Sequence, residues 1–495
     1  MKKVVIIGAG IAGLTCGIYA QKSGLDTQIL EMQTVPGGEC TGWDRGEYHF
    51  DGCIHWLTGS APDTGLYKIW RDTGALDDSV KIVNHESFVR YEEDGRAVEL
   101  YTNADKLEQH LLEISPQDKV EIKKLCKAIK SLGGFGMPVD KPMDMMTAGD
   151  GLKFAGKMIG KMGMLSRYNN MKMKDLAALF KEPMIGRAML ASIPGDYTAT
   201  ALVMTLAGMN AGDCGFPVGG SRAFSKRMEQ KYLSLGGKIT YKAKVDKVVV
   251  EDGRAVGVAL ADGTEVRADY VVSCADGHYT LYHMLDDKYT PEAYRKLFAA
   301  PKAYPTATCA LVFMGVNAEV GGHIRGVNIR REQPVTIGSM ESDYVSLMGY
   351  GFDGTMAPKG KSVMAGFYDA DYDYWHALKG DKEAYKAAKQ ALADDAVAAL
   401  VKRFPEAEGK IEKIDVVTPE TYVRYCNAWR GSWMTWGNGS KDVPRYFPGM
   451  LDGLDGFIMA GMWTLPPGGL PGAATSGRFA AHRICLKEGI EFKAN

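Results

Sequence analysis

Gly8, Gly10 and Gly13 stand in the spacing G-x-G-x-x-G, between the apolar run VVIIG and the stretch IAGLTCGIYAQKSG. At a strand-to-helix turn this spacing has a chemical use. Gly8 makes the turn, Gly10 lets the backbone approach a pyrophosphate, and Gly13 lets helix and strand pack closely. Ile11 and Ala12 then sit where the helix's first free N–H groups and its dipole favour an anion. A second apolar stretch, TQILE, ends at Glu31, followed by Met32. That is the distance at which a carboxylate accepts hydrogen bonds from an adenosine ribose, and an acid there argues against the extra phosphate of NADP. Strand, fingerprint, helix and terminal acid in register read as a dinucleotide site.

Two further groups could serve such a ligand. PGGECTGWDRGEYHFDGCIHWLTG supplies Gly37, Gly38 and Glu39, a strand around Tyr48 to Asp51, and His55. Near the other end, the strand GFIMAG runs into Gly461 and Met462 and then into a stiff loop with Pro466, Pro467, Gly468, Gly469, Leu470, Pro471, Gly472 and Ala473. Prolines fix the turn, glycines admit a flat ring, and a following helix presents N–H groups to it. The alternative is an ordinary strand–helix connection. Rival chemistry has no motif: there is no Ser/His/Asp pattern, Walker loop, metal-ligand cluster, second G-x-G-x-x-G or redox C-x-x-x-x-C. No metal is expected.

These blocks resemble the flavoprotein family of phytoene desaturases, carotenoid isomerases and retinol saturases, and more distantly the amine oxidases. There a paired glycine follows the ribose acid and an F-D-x-G-x-H segment runs towards the flavin; Phe50, Asp51, Gly52 (shifted by one) and His55 are similar to it. The resemblance implies FAD as cofactor. Glu39 stands where amine oxidases usually carry arginine, and Met462 follows Gly461 where they commonly carry aspartate. Both departures favour the isomerase and saturase branch. A middle block opens at Gly219 and Gly220 and contains Val245, which by resemblance touches the adenine through its backbone. In TPETYVRYCNAWRGSWMTWG, Thr418 to Gly437, the residues Thr421, Arg424, Tyr425, Trp436 and Gly437 match a family segment. Arg424, Tyr425 and Trp436 are the expected substrate wall; core aromatics of a β-rich domain are the alternative.

The elements that must position these residues follow. At 495 residues the chain is too long for one simple core. The fold class expected is α/β, a Rossmann-type FAD-binding domain with a parallel sheet plus a mixed α+β substrate domain under helical cover. The nucleotide domain is drawn at 1–102, 215–290 and 455–495, the substrate domain at 103–214 and 291–454. Within the latter, 103–132 read as two helices, Ala303 to Val316, Gly326 to Arg330 and Lys361 to Phe367 as strands, and Lys382 to Arg403 as a helix. Lys+Arg 59 against Asp+Glu 60 argues against a nucleic-acid partner. Nine cysteines without C-x-x-C spacing read as reduced thiols. No apolar run approaches a membrane span, so the expected location is cytoplasmic.

The stretch Gly151 to Lys174 carries Lys153, Lys157, Lys161, Arg167, Lys172 and Lys174 and no acid before Lys174. Lys153, Lys157 and Lys161 fall on one helical stripe, as in a helix lying on an anionic membrane surface. A methionine-rich lid over the substrate cavity is the equal alternative. His55 is the candidate for moving a proton or polarising the flavin, a loop-holding histidine being its alternative. The resemblance thus implies an oxidoreductase acting on carbon–carbon bonds of an apolar, polyene or isoprenoid-like substrate, with a separate electron donor or acceptor. An amine oxidase and a flavin-bound lipid carrier without turnover are the competing readings.

Overall fold

A computed structural model describes residues 1–134, 136, 138–322, 324–437 and 442–494. Its centre is a five-stranded parallel sheet. The strands are β1 (Lys3–Ile7), β2 (Asp26–Leu30), β3 (Lys238–Thr240), β4 (Tyr270–Ser273) and β5 (Phe457–Met459), in the order β5-β4-β1-β2-β3. β1 pairs in parallel with β4 through Val4–Tyr270 to Ile7–Ser273, and with β2 through Lys3–Asp26 to Ile7–Leu30. The sheet therefore gathers its strands from the beginning, middle and end of the chain.

The continuous apolar run of β1 has a simple cause. Successive side chains of a strand face opposite ways, and here both faces are covered. Val4 and Ile6 join a core with Leu14 and Ile18 of α1 (Ile11–Lys22), Phe224 of α2 (Gly220–Ser234) and Ile484 of α3 (Gly469–Lys487). Val5 and Ile7 face the other way, onto Val245, Val248, Ala255 and Val258 of a three-stranded antiparallel sheet. Residues 11–20 of α1 are buried all round, because α3 packs along it as well.

A seven-stranded sheet forms the second half. Its order is Ile411–Val417, Cys309–Val316, Ser362–Asp369, Met340–Gly349, Gly326–Ile337, Ser87–Glu93 and Arg96–Tyr101. All neighbours are antiparallel except Gly326–Ile337 with Ser87–Glu93. The helix Lys382–Arg403, capped by Asp381 through the Glu383 and Ala384 N–H groups, lays Leu392, Ala396 and Leu400 on this sheet. Helices Ala104–Ile114, Lys119–Leu132, Met173–Ala177, Pro183–Leu190 and Thr200–Asn210 share a further apolar core. The chain is thus α/β, a parallel Rossmann-type sheet beside a mixed sheet with helical cover.

Three sequence expectations shift. The hairpin Ser87–Tyr101, drawn inside the nucleotide domain, instead ends the seven-stranded sheet through Val327–Arg90 and Ile329–Glu92 pairing. The strand expected from Ala303 begins only with Thr306–Ala307, which pairs with Met434–Trp436, before Cys309–Val316. The single stripe of Lys153, Lys157 and Lys161 does not form. Helix Ala148–Met158 stops at Ile159, Gly160 takes φ +80°, and a new helix begins at Met162. The side chains of Lys153 and Lys157 lie outside the described residues.

Candidate active site

The strand order reverses at β1, and ligands of open α/β sheets bind outside the carboxyl ends of strands at such a point. There β1 ends at Ile7 and β2 at Leu30, tied together by the Gly8 N–H to Leu30 O bond of 2.8 Å. Gly8 has φ +94°, which only glycine adopts without strain. A Cβ on Gly13 would overlap the Gly8 carbonyl oxygen, so helix–strand approach requires glycine there. Gly10 has φ −68°, and among the described residues the nearest atom to its imagined Cβ is Gly37 O at 3.8 Å. Its open side faces a cavity of about 470 Å³.

Gly8, Gly10, Ile11, Ala12, Glu31, Met32, Gly37, Gly38, Glu39, His55, Val245, Gly461, Met462, Gly469, Leu470, Pro471 and Ala473 all line that cavity, and Gly13 lies beneath its floor. Residues 465 positions apart in sequence therefore meet around one space. α1 begins with no side-chain cap and no acid in its first turn, so its leading N–H groups are open to an anion. Glu31 is fixed by two bonds, Oε2 accepting from Ala9 N and Oε1 from Gln33 N, each 2.7 Å. Burial raises its pKa against those bonds. Its remaining lone pairs are those a ribose would use. At the far end Gly461 (φ +111°) donates its N–H to Ser476 Oγ at 2.8 Å, and Gly468 and Gly469 also have positive φ, so backbone walls this end. α3 too starts without a side-chain cap. An extended, phosphate-bearing, flat-ended cofactor fits these residues.

The segment carrying His55 is held by Asp51, which does not line the cavity. The buried Asp51 carboxylate accepts from Ser221 N (2.5 Å), Ser221 Oγ (2.7 Å), Ile54 N (3.1 Å) and Cys53 N (3.2 Å). A Cβ on Gly220 would overlap its Oδ2, so the carboxylate requires glycine at the first position of α2. The His55 ring lies among Trp56, Phe367 and Trp433, at centroid distances of 6.4, 5.9 and 6.1 Å, with no ring hydrogen bond among the described residues. Burial, aided by the Arg325 guanidinium, pulls its pKa to about 3. His55 is therefore neutral at physiological pH.

Glu39 shows the converse. Burial, then the nearby Asp276, raises its pKa well above the usual carboxylate range. Its carboxyl has no hydrogen-bond partner among the described residues. Asp276 is lifted by burial to about 6, although its oxygens accept from Tyr279 N (2.8 Å) and Trp429 N (3.0 Å). Asp276, Cys53, Trp56, Tyr279 and Trp433 line the cavity without having been singled out from sequence. Asp276 had a legible signal: it follows β4 in VVSCAD much as Glu31 follows β2.

The expected substrate wall divides. Tyr425 lies at the cavity rim, 49% exposed. Arg424 is exposed outside the lining, its guanidinium over the Tyr425 ring. Trp436 is 1% exposed and packs against Trp463 and Phe298, both at 5.0 Å, in a core rather than on the cavity. Trp433 and Met434, just before it, take the lining positions.

Comparison with known proteins agrees with this geometry. The family model for flavin containing amine oxidoreductase matches residues 11–485. The chain is 25% identical to a chloroplastic prolycopene isomerase of Daucus carota, over 99% of this chain and 81% of that protein. It is 24% identical to the human all-trans-retinol 13,14-reductase, over 91% of this chain and 79% of that protein. Among solved structures, an oxidoreductase from Methanosarcina mazei superposes with a TM-score of 0.62 at 17% identity, covering 97% of this chain and 100% of that one. The chain belongs to the flavin containing amine oxidoreductase family and is an FAD-dependent oxidoreductase.

Proposed function

We propose that this enzyme saturates, desaturates or isomerises carbon–carbon double bonds of an apolar, polyene-like substrate. The observation that carries the reading is the junction of two surfaces in one cavity. The uncapped α1 end, Glu31 and the glycine loop before α3 meet a wall of Ile54, His55, Trp56, Leu57 and Trp433. Prolycopene isomerase and retinol 13,14-reductase are relatives whose names carry polyenes, which supports that substrate class.

Gly8, Gly10, Ile11 and Ala12 would hold the pyrophosphate, Glu31 and Met32 the ribose, Val245 the adenine, and Gly461 to Ala473 the flavin end. FAD when bound supplies hydride exchange at its N5. The protein's share is orientation, exclusion of water and one proton. Neutral His55 does not supply that proton; it packs and polarises. Glu39, raised well above the usual carboxylate range, holds its proton, whereas Asp276, lifted only to about 6, is mostly ionised at neutral pH and is committed to two backbone N–H groups. The proton is therefore assigned to Glu39, whose carboxyl is unpartnered. Electrons come from or go to a separate partner.

The test is anaerobic reduction of the bound flavin, then addition of retinoids, carotenes and unsaturated fatty acids with spectra and product analysis. Reoxidation with a hydrogenated product establishes a saturase; rearrangement with the flavin still reduced establishes an isomerase. A silent panel refutes the polyene reading.

Membrane contact is part of the proposal. No helix among the described residues is long and apolar enough to cross a membrane. Leu152, Ile159 and Met162 are nevertheless 74%, 81% and 64% exposed near Lys161, an arrangement suited to peripheral docking. Binding to anionic vesicles that salt abolishes supports it; no binding refutes it.

A further inference from the structure

Behind the aromatic wall lies a charge that the proposed chemistry does not use. Arg325 immediately precedes the strand Gly326–Ile337. Its Nη2 donates to the carbonyl of His55, and its guanidinium lies 6.0 Å from the Trp56 ring centroid. His55 and Trp56 both line the cavity. Among the described residues that carbonyl is its sole hydrogen-bond acceptor, and no carboxylate pairs with it. Other arginines drawn from water divide: three pair with carboxylates, whereas among the described residues Arg478 and Arg227 donate only to carbonyls, Arg227 to that of Ala75. Arg331 grips Asp395 with two bonds of 2.8 and 2.7 Å, Arg403 holds Glu92, Arg483 holds Asp144, and Arg478 donates to the carbonyls of Val139 and Asp140.

The surroundings of Arg325 are also short of partners. His85 Nε2 is buried and unbonded. Its ring packs on Phe352 at 4.5 Å, and Phe352 on Phe216 at 5.0 Å. Tyr350 lies between Phe216 and Phe352, its hydroxyl without a hydrogen bond among the described residues. The Arg325 charge lowers the pKa of both His55 and His85, so it reaches both rings, and burial brings its own pKa to about 10. Arg325 thus stays charged at neutral pH, half-buried beside aromatic rings that offer it no counter-ion among the described residues, where an anion would be stabilised.

From this we infer that the substrate is an apolar acid whose carboxylate is held by Arg325, with its chain running past Trp56 and His55 into the cavity. A carboxylate matches the planar fork of a guanidinium, and Tyr350 and His85 supply further donors. One fixed positive charge with two neutral donors suits a carboxylate better than a doubly charged phosphate ester. The inference rests on the proposed polyene chemistry and specifies its substrate.

The test titrates the flavin-loaded enzyme with retinoic acid, oleic acid, their methyl esters, the matching alcohols and dodecyl phosphate, following the flavin spectrum. The acids are expected to bind about tenfold to a hundredfold more tightly than their esters. Arg325→Gln should erase that preference and Arg325→Lys should retain part of it, with flavin content and melting temperature recorded for both. Equal affinity of acid and ester in the wild-type enzyme overturns the inference without reference to any variant. So does a preference that survives Arg325→Gln, or tighter binding of dodecyl phosphate. If esters and alcohols bind and are turned over as well as acids, the acid site falls and the polyene reading stands. If acids of any chain length bind but no double bond reacts, the site stands and the polyene reading falls. No binding by any probe overturns both.

Discussion

Gly10 and Gly13 should fail in different ways when each is replaced by alanine. The two sit three residues apart in one motif, and a count of conserved-looking glycines would treat them alike. At Gly13 a Cβ would overlap Gly8 O and stand 3.2 Å from Gly8 C and 3.4 Å from Ile6 Cγ2. The clash is with backbone, which cannot rotate away, so α1 must move off β1. Overpacking of this kind costs about 1–3 kcal/mol, and a backbone neighbour puts it at the upper end, about 3 kcal/mol. At Gly10 the φ of −68° suits any L-residue and the nearest atom is 3.8 Å away. The apoprotein should lose nothing, and reduced chain entropy of the unfolded state favours alanine by about 0.4–1 kcal/mol. The new methyl instead stands in the cavity, between the first N–H groups of α1 and the phosphates. Losing charge-assisted bonds worth about 1.5–3 kcal/mol weakens FAD binding by about tenfold to a hundredfold. Melting curves of flavin-stripped protein, together with FAD titration by fluorescence quenching, separate the two effects. Gly13→Ala should lower the apoprotein melting temperature by several degrees; Gly10→Ala should leave it level and lose flavin. Equal melting losses, or undiminished FAD affinity in Gly10→Ala, would refute the assignment of packing to one glycine and phosphate approach to the other.

Four further outcomes are expected. Gly477→Ala places a Cβ over the Ala12 carbonyl oxygen and 3.0 Å from its carbon, so α3 and α1 must separate at a cost of about 3 kcal/mol; an unchanged melting temperature would show that they can slide. Glu39→Gln should keep FAD affinity within about threefold, because the carboxyl is already neutral, yet cut turnover by about 10²–10⁴ if it supplies the proton; tenfold tighter FAD binding would show a charged Glu39. His85 titrates near 6.5 when unfolded but near 3 in the folded protein, so its contribution is complete above pH 6.5 and is lost as pH falls towards 3. Relative to His85→Phe, which shares every other titrating group, the wild type should lose about 3 kcal/mol between pH 7.5 and 4.5; a constant difference in melting temperature refutes the buried neutral ring. Asp51→Asn cannot accept all four of its bonds and should cost about 1–3 kcal/mol and loosen the loop bearing His55, seen as faster amide exchange at Cys53 and Ile54.

The nucleotide end was legible because its determinants are local and made of backbone. Glycine spacing dictates where a chain can approach a phosphate, and strand length dictates where Glu31 falls. The helix Lys382–Arg403 was legible for the same reason, since periodicity and an Asp cap are read within one stretch. The substrate wall is made of side chains brought from distant segments, and identity alone misled there. Trp433 and Trp436 are both aromatic and three residues apart, yet one lines the cavity and the other fills a core with Trp463. Arg424 matched a family spacing and points to water; Arg325 matched none and stands behind the cavity. The hairpin Ser87–Tyr101 carries no mark of which sheet it joins, because an alternating strand pairs wherever an edge of fitting register is offered.

Burial favours the neutral form of His55, Glu39 and Asp276 on the cavity wall. It keeps His55 unprotonated and Glu39 protonated and raises the thiols of Cys274 and Cys426 well above their usual range, while the Cys40 thiol, then burial, does the same to Cys53. Thiols held in that state do not exchange with disulfides at neutral pH, so these three cysteines on the cavity wall are poor dithiol reagents. A pocket built for a polar substrate would keep charges ready to recognise it. Here His55 and Glu39 are neutral where the glycine loop and the aromatic wall meet, and among the described residues no carboxylate pairs with the Arg325 guanidinium behind His55 and Trp56. On the proposed reading, apolar walls would select a hydrocarbon chain and the Arg325 guanidinium would select which end of it lies beyond His55 and Trp56. Orientation would then come from a single ion pair, and the reacting carbons would be chosen by their distance from the carboxylate. A series of acids whose double bond is moved along the chain should therefore react at one fixed distance from the head group, and Arg325→Gln should scatter the site of reaction.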